Sequence, residues 1–183
     1  MSKPLIDDEL WVLVESLLPP PKPRRSDHPG RKPLPNRAVL NGIVFVLKTG
    51  LKWDDLPAEP GWGCGRVCRE RLRDWQRAGV WARLHALRLG KRRGADKLAW
   101  SRAAVDSSRV RALNGGDKTG PNPTDRGKKG RKHHGLTDAA GLPLAASLTA
   151  ANRNDIPEMV ALVDAVPPVG GKPGRPRRRP VKL

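Results

Sequence analysis

The sequence is short of cysteine and of acidic residues, and it has no long hydrophobic run. Cys64 and Cys68 are its only cysteines, and the 4 histidines do not complete a tetrahedral zinc set at the usual spacings, so we expect no structural zinc. No apolar stretch approaches the roughly 20 residues of a membrane-spanning helix, and no signal peptide begins the chain. We therefore expect a soluble, cytoplasmic protein with no membrane partner.

The scarcity of acids leaves a large positive charge. Lys and Arg total 36 while Asp and Glu total 18, which gives a formal net charge of +18. Such a chain repels itself unless a polyanion neutralises it, so nucleic acid is the leading partner. No Gly-Lys-Thr phosphate loop follows a strand near residues 119–124, so nucleotide hydrolysis has no support.

Hydrophobic periodicity predicts four helices in the first half of the chain. They run from Asp7 to Leu18 with Asp7 as N-cap, from Asn36 to Lys48 with Gly50 as C-cap, from Gly65 to Ala78, and from Val80 to Leu89. A basic, Pro-rich linker occupies residues 19–35, where exposed cations suit a phosphate-contacting arm. We predict that residues 1–94 form a helical, helix-turn-helix-like DNA-binding domain.

The third predicted helix carries one stripe of arginines. The stripe has the spacing i, i+3, i+7 and i+11, and it consists of Arg66, Arg69, Arg73 and Arg77. Four guanidinium groups in this arrangement could follow a DNA groove and its phosphates. The alternative is a solvated basic face without groove contact.

The pattern changes after Lys97. Strands are predicted at residues 98–105, around 132–137 and at 142–150, with a tight turn at 138–141, and a helix follows at 156–165. Three strands followed by a helix form the opening part of a ribonuclease H-like layout. The predicted class is therefore α+β, with the first part of an RNase H-like α/β catalytic domain at residues 95–166. A basic, Pro- and Gly-rich tail occupies residues 167–183.

Asp106 closes the first predicted strand, and it is the candidate catalytic residue and metal ligand. Sheets of the RNase H type present carboxylates that bridge two divalent ions, and Mg²⁺ prefers such hard oxygen ligands. The alternative is an ordinary residue at a strand end or turn. The acids that follow in the chain have structural explanations in a loop, a turn, a helix cap or a helix.

A basic cluster precedes and enters the second predicted strand. Its candidate DNA-binding residues are Arg126, Lys128, Lys129, Arg131 and Lys132. An extended basic loop could hold a DNA backbone near Asp106, while the alternative is a flexible, solvated loop. His133 and His134 would support the strand entrance or touch phosphate rather than bind metal, because adjacent strand residues point to opposite faces.

Several long segments resemble a known family in their sequence, which the hydrophobic periodicity alone does not reveal. The segments are Leu51–Pro57, Cys68–Trp75, Val105–Ala112, Thr119–Lys128 and Thr149–Asp155. Together they resemble bacterial insertion-sequence transposases of the DDE type, in the IS-five family. The resemblance implies binding to the element's terminal inverted repeats and to target DNA, with Mg²⁺-dependent strand cleavage and transfer in the nucleoid. It also makes Asp106 the first of three catalytic acids.

The resemblance places the second acid just beyond the stretch at residues 174–180, so we expect this chain to hold the first acid without the second Asp and the Glu. Two functions are therefore open. One is the N-terminal portion of a transposase, inactive alone and complemented by a segment that bears the other acids. The other is a non-catalytic, DNA-binding regulator of transposition. A homodimer on DNA is left open, and a general RNA-binding protein is the remote third reading.

Overall fold

A computed structural model describes residues 5–20, 26–28, 32–113 and 115–183. Contacts divide the chain into two compact units, one up to His85 and one from Ala86 onward. In the described ranges, no helix combines the length and the apolarity needed to cross a membrane. Much of the predicted phosphate-contacting arm, including Arg24, Arg25 and Arg31, lies outside the described residues.

The first unit is helical. It contains α1 (Asp8–Glu15), α2 (Asn36–Thr49), a 3-10 helix (Trp53–Asp55), α3 (Gly65–Arg77) and the beginning of α4 (Val80–Gly94). Both predicted caps are confirmed. Asp7 accepts a hydrogen bond from the Leu10 backbone N–H at 2.7 Å, and Gly50 ends α2 in the left-handed conformation with φ 70°.

The helix α4 extends to Gly94, five residues beyond the predicted end at Leu89. The sequence Gly90-Lys91-Arg92-Arg93-Gly94 indicated a helix stop, but an isolated glycine costs a helix only about 1 kcal/mol. The last turn of α4 also carries three basic residues, whose charge suits the negative end of the helix dipole.

The core of the first unit forms between α2 and α3. Val39, Ile43 and Cys68 are almost fully buried, and Trp75 packs with Trp81 at a centroid distance of 5.9 Å. Gly42 lets the two helices approach closely, because a Cβ there would lie 2.9 Å from the Cys68 sulfur. The apolar stripe of α2 thus holds α3 in place and leaves the opposite side of α3 in solvent.

The second unit is a small antiparallel sheet with one helix. Its elements are β1 (Ala103–Arg111), β2 (Gly120–Pro121), β3 (Lys129–Asp138), β4 (Pro143–Ala150) and α5 (Asp155–Asp164). The strand β3 is central, pairing with β1 on one side and with β2 and β4 on the other. The α+β class is thereby confirmed.

The first strand lies later in the chain than predicted. The apolar pattern predicts a strand at 98–105, whereas β1 begins at Ala103 and continues to Arg111. Residues before β1 have another partner: the Ala99 backbone N–H donates to the Asp138 carboxylate at 2.9 Å. Leu98 and Trp100 are buried in the core without belonging to the sheet.

The two faces of the sheet differ. On β3 every second residue is buried, from Gly130 to Asp138, and Leu136 packs with Leu144 and with Leu162 of α5. The intervening residues of β3 are exposed or half-buried. Since side chains alternate along a strand, α5 covers one face, and we call the other the open face. Val110 and Leu148 remain exposed on it.

The residues predicted as a basic tail fold back onto the second unit. Val169 is buried and forms an isolated antiparallel bridge with Arg177. Further on, the Val181 N–H donates to the Trp100 carbonyl at 2.9 Å, and the Ala103 N–H donates to the Lys182 carbonyl at 2.8 Å. These two bonds attach residues 181 and 182 to the chain around the beginning of β1.

Candidate functional site

Asp106 lies within β1, directly across from Gly135 of β3. Paired residues of neighbouring strands point to the same side, so Asp106 shares the open face with the exposed residues of β3. Its side chain is exposed, and one carboxylate oxygen accepts the Ser107 N–H at 2.8 Å. A Cβ built on Gly135 would meet nothing within 4 Å, so the space across from the carboxylate is clear.

Four other acids of this unit have partners of their own, and one of them, Asp125, pairs with Arg111 at 3.4 Å. Asp155 and Glu158 belong to α5 on the covered face, where Glu158 accepts the Ser147 hydroxyl at 2.6 Å. Asp138 is buried and accepts backbone N–H groups of the hairpin turn. Within the described residues, no group of three His, Cys, Asp or Glu side chains could hold a metal ion. Among the described residues, Asp106 on the open face is therefore not part of a cluster that could hold a metal ion.

Lys132, predicted to bind DNA, is instead buried under α5 with 2 % of its surface exposed. Its ammonium donates to the Arg153 carbonyl at 2.7 Å and to Asp155 Oδ1 at 2.8 Å. His134 lies in the same layer, with Nε2 2.8 Å from the Thr149 hydroxyl. The prediction that Lys132 is exposed for DNA is wrong, because alternation along β3 turns its side chain toward α5 and away from the open face.

The buried ammonium also changes the acidity of its partner. The hydrogen bond from Lys132 lowers the pKa of Asp155 below its usual value, against a smaller opposing effect of desolvation. The charges of Lys132, His134 and Arg109 add to the lowering. Asp155 is thus held ionised to stabilise the fold, and it is unsuited to a role as a proton donor.

The remaining members of the basic cluster do not form one extended loop. Residues 122–128 form a closed turn in which Asn122 is buried and its side-chain oxygen accepts from the backbone and the hydroxyl of Thr124. Arg126 and Lys128 are exposed on this turn. Lys129 and Arg131 already belong to β3, with Lys129 exposed and Arg131 half-buried on the open face.

The arginine stripe of α3 faces solvent along its whole length. Arg66, Arg69, Arg73 and Arg77 are all exposed, while Cys68 and Trp75 occupy the buried side of the helix. Arg66 pairs with Glu70 one turn along, at 3.1 Å. Within the described residues, the other three arginines have no carboxylate partner. The stripe is therefore available to an external anion.

Sequence reasoning missed two residues that shape this region. Gly135 clears the space opposite Asp106, and Asp155 anchors the buried Lys132. The alternation of residues 130–138 contains a signal for both, because it places Gly135 and Lys132 on opposite faces of one strand. The alternation alone does not show which of the two faces a helix covers.

Comparisons with known proteins agree with this architecture. The family described as "Putative transposase of IS4/5 family" matches residues 6–85, which span the helical unit. The family described as "Transposase DDE domain" matches residues 101–178, which span the sheet and α5. No solved structure matches the chain.

Two relatives come from insertion elements of Burkholderia cepacia. One, "Insertion element IS402 uncharacterized 16.2 kDa protein", is 65% identical over 123 residues, which cover 67% of this chain and 84% of the relative. The other, "Putative transposase for insertion sequence element IS402", is 50% identical over 95 residues, which cover 51% of this chain and 43% of the relative. This chain belongs to the IS4/5 family of insertion-element transposases.

Proposed function

We propose that the helical unit binds the terminal inverted repeats of an insertion element through the arginine stripe of α3, and that Asp106 is the first acid of the DDE site. The observation that carries the first part is the exposed, mostly unpaired stripe on a helix whose other side is buried. Asp106 on an uncovered sheet face supports the second part.

The stripe has dimensions suited to duplex DNA. Residues 66 and 77 are eleven positions apart, which corresponds to about 17 Å along a helix axis. Successive phosphates of one strand advance about 3.4 Å along the duplex, so several phosphates lie within reach of the stripe. Because Arg69, Arg73 and Arg77 lack carboxylate partners among the described residues, binding DNA breaks no ion pair there.

An RNase H-like arrangement of the second unit is part of this proposal. Three antiparallel strands with β3 in the middle, followed by α5, and a carboxylate within the first strand are what such a domain begins with. A complete site would hold Mg²⁺ ions that stabilise the attacking and leaving oxygens of a phosphodiester displacement. The described residues bring one suitable carboxylate to the open face, so they do not fit a two-metal site alone.

A second candidate function is a non-catalytic regulator that occupies element ends. Among the described residues, no group of three His, Cys, Asp or Glu side chains could hold a metal ion, and this favours the regulator. The two candidates differ in chemistry, since only the first predicts strand cleavage once carboxylates from another segment complete the site. Nicking of end DNA with Mg²⁺ or Mn²⁺, lost on Asp106→Asn, supports the transposase role. Binding without nicking in the presence of the transposase relative's C-terminal portion supports the regulator.

The end-binding proposal can be tested by fluorescence anisotropy on a duplex with the element's terminal repeat and on a scrambled duplex. Replacing Arg69, Arg73 and Arg77 by Gln removes three phosphate contacts, which should weaken binding roughly 100-fold at 0.15 M salt and reduce the salt slope by about 2.7. The matched control replaces Arg175, Arg177 and Arg178, which removes the same charge from an exposed segment. If both variants lose the same affinity for the duplex, the loss comes from the lower net charge and not from contacts made by α3. The proposed role of α3 would then be wrong.

A further inference from the structure

The open face carries a row of groups suited to a phosphodiester strand. The register pairs Asp106 with Gly135, Ser108 with His133, and Val110 with Arg131, so all six side-chain positions share that face. Along β3 the rise is about 3.4 Å per residue, which puts the backbone of His133 about 7 Å and that of Arg131 about 14 Å from Gly135. The strand pair thus presents the Asp106 carboxylate beside the unfilled position at Gly135, which we call the clearing. The His133 imidazole and then the Arg131 guanidinium follow along β3.

The glycine in this row is not required by the backbone. Gly135 is not among the glycines with positive φ, and no neighbouring atom excludes a side chain there. A glycine inside a strand weakens the strand, and it often marks a place where a ligand approaches the backbone closely. At Gly135 the approaching group would come to rest directly beside the Asp106 carboxylate.

The far end of the row is a cavity of about 330 Å³ with two arginines in its lining, of which Arg111 pairs with Asp125 at 3.4 Å. Its lining residues are Val110, Arg111, Ala112, Gly115, Arg131 and His133. Arg131 donates from Nη2 to the Gly115 carbonyl at 3.3 Å, while its Nε is buried and has no hydrogen-bond partner in the part of the chain that is described. A buried donor without an acceptor is costly, and the arginine that carries it lines this cavity, where its guanidinium charge can attract a phosphate.

We propose that the open face seats one DNA strand, with phosphates held by Arg131 and His133 and the backbone crossing Gly135 to reach Asp106. The inference rests on the proposed function, because it describes how the DNA bound in that proposal reaches Asp106, the first acid of the site. An extended polyanion fits better than a single anion, since the cationic groups and the clearing are spaced along the strand. His133 contributes an N–H donor in either protonation state.

The test uses the full chain and a fluorescein-labelled 20-nucleotide single strand of mixed sequence. It is run with native α3 and in the background that lacks Arg69, Arg73 and Arg77. Arg131→Gln should weaken binding about 4-fold at 0.15 M salt and lower the salt slope by about 0.7, as expected for one contact to a single strand. His133→Ala should also weaken it.

The matched control is Arg109→Gln. In the register of β1 and β3, Arg109 lies directly across from Lys132 and therefore belongs to the opposite face of the same sheet. It removes the same charge and should leave the salt slope unchanged. Gly135→Phe should weaken strand binding by filling the clearing, and a thermal melt checks that the variant is folded, since a Cβ at this position would meet nothing within 4 Å. If Gly135→Phe does not fold, the comparison of Arg131→Gln with Arg109→Gln tests the strand path.

The outcomes separate the two proposals. Equal effects of Arg131→Gln and Arg109→Gln overturn the strand path, whatever the α3 background shows. Full end binding in the α3 background overturns the role of the stripe and leaves the strand path to its own variants. If millimolar inorganic phosphate displaces the strand completely and strand length has no effect on affinity, the cavity takes a free anion and the strand path is wrong.

Discussion

Lys132 Nζ lies 2.8 Å from Asp155 Oδ1, so a buried ammonium in the central strand is tied to the first turn of α5. The lysine side chain is 3 % exposed and the aspartate side chain 45 %. The pair thus sits at the border of the core, where water reaches one partner only. It fixes the helix over the covered face, while the carboxylate of Asp106 stays on the opposite side of the sheet.

The two halves of this pair should contribute unequally to stability. Asp155→Ala leaves a buried cation with only the Arg153 carbonyl, and we expect a loss of about 2–3 kcal/mol in the free energy of unfolding. Lys132→Met removes the charge and keeps an apolar stem, so its loss should be about 1 kcal/mol. Urea unfolding measures both, with the exposed Asp117→Ala as control. Equal losses for the two variants would contradict the argument.

The same pair predicts a dependence on pH. Lys132 lowers the pKa of Asp155 in the folded state, so the pair stabilises the protein above the pKa of an unfolded aspartate. This contribution is lost as the pH falls through the lowered folded value. Carboxyl NMR titration should give a higher pKa for Asp155 in Lys132→Met than in the native chain. An unchanged titration curve would show that Lys132 is not the cause.

Gly65 at the start of α3 should tolerate no side chain. A Cβ there would lie 1.6 Å from the Trp53 carbonyl oxygen, and that atom belongs to backbone that cannot simply move aside. We expect Gly65→Ala to lower the free energy of unfolding by about 3 kcal/mol despite the better helix propensity of alanine. Gly90→Ala in α4 is the matched control, because its nearest neighbour is 3.9 Å away. That variant should be stabilised by up to about 1 kcal/mol.

Asp138 should be more sensitive than its place in a turn suggests. Its carboxylate accepts N–H groups of Ala99, Ala140 and Leu142, which joins the hairpin to the chain before β1. Asp138→Ala leaves these donors without that acceptor, and we expect a loss of about 2–4 kcal/mol. Hydrogen exchange at the Ala99 amide should accelerate together with the loss of stability. Native protection of that amide in the variant would refute the link.

Much of the helical unit could be predicted from the sequence, because two of its helix ends are encoded locally, although α1 ends at Glu15, three residues before the predicted end at Leu18. Asp7 and Gly50 act through their own side chain or backbone, and a cap needs no distant partner. The stripe of α3 is likewise a property of one helix. The end of α4 was harder, since the glycine at position 90 marks a stop as readily as a tolerated interior residue.

The sheet was less predictable because its residues depend on partners far along the chain. The first strand began later than expected, since Ala99 is bound by Asp138 from 39 residues away. Lys132 reads as one more exposed cation in a basic run until Asp155, 23 residues later, is placed above it. The type and order of the elements follow from local patterns, but the burial of a charge follows only from tertiary contact.

The pairing between β1 and β3 has a consequence for the stability of molecules in which the strand register is shifted. A slip of β1 by one residue would turn Asp106 toward α5 and bring Val105 onto the open face, because every side chain of a slipped strand changes face. Misplacing the carboxylate thus cannot be separated from removing Val105 from its packing against the core. We therefore expect molecules with a wrongly oriented Asp106 to be less stable than correctly paired ones, so they should not accumulate as well-folded alternatives.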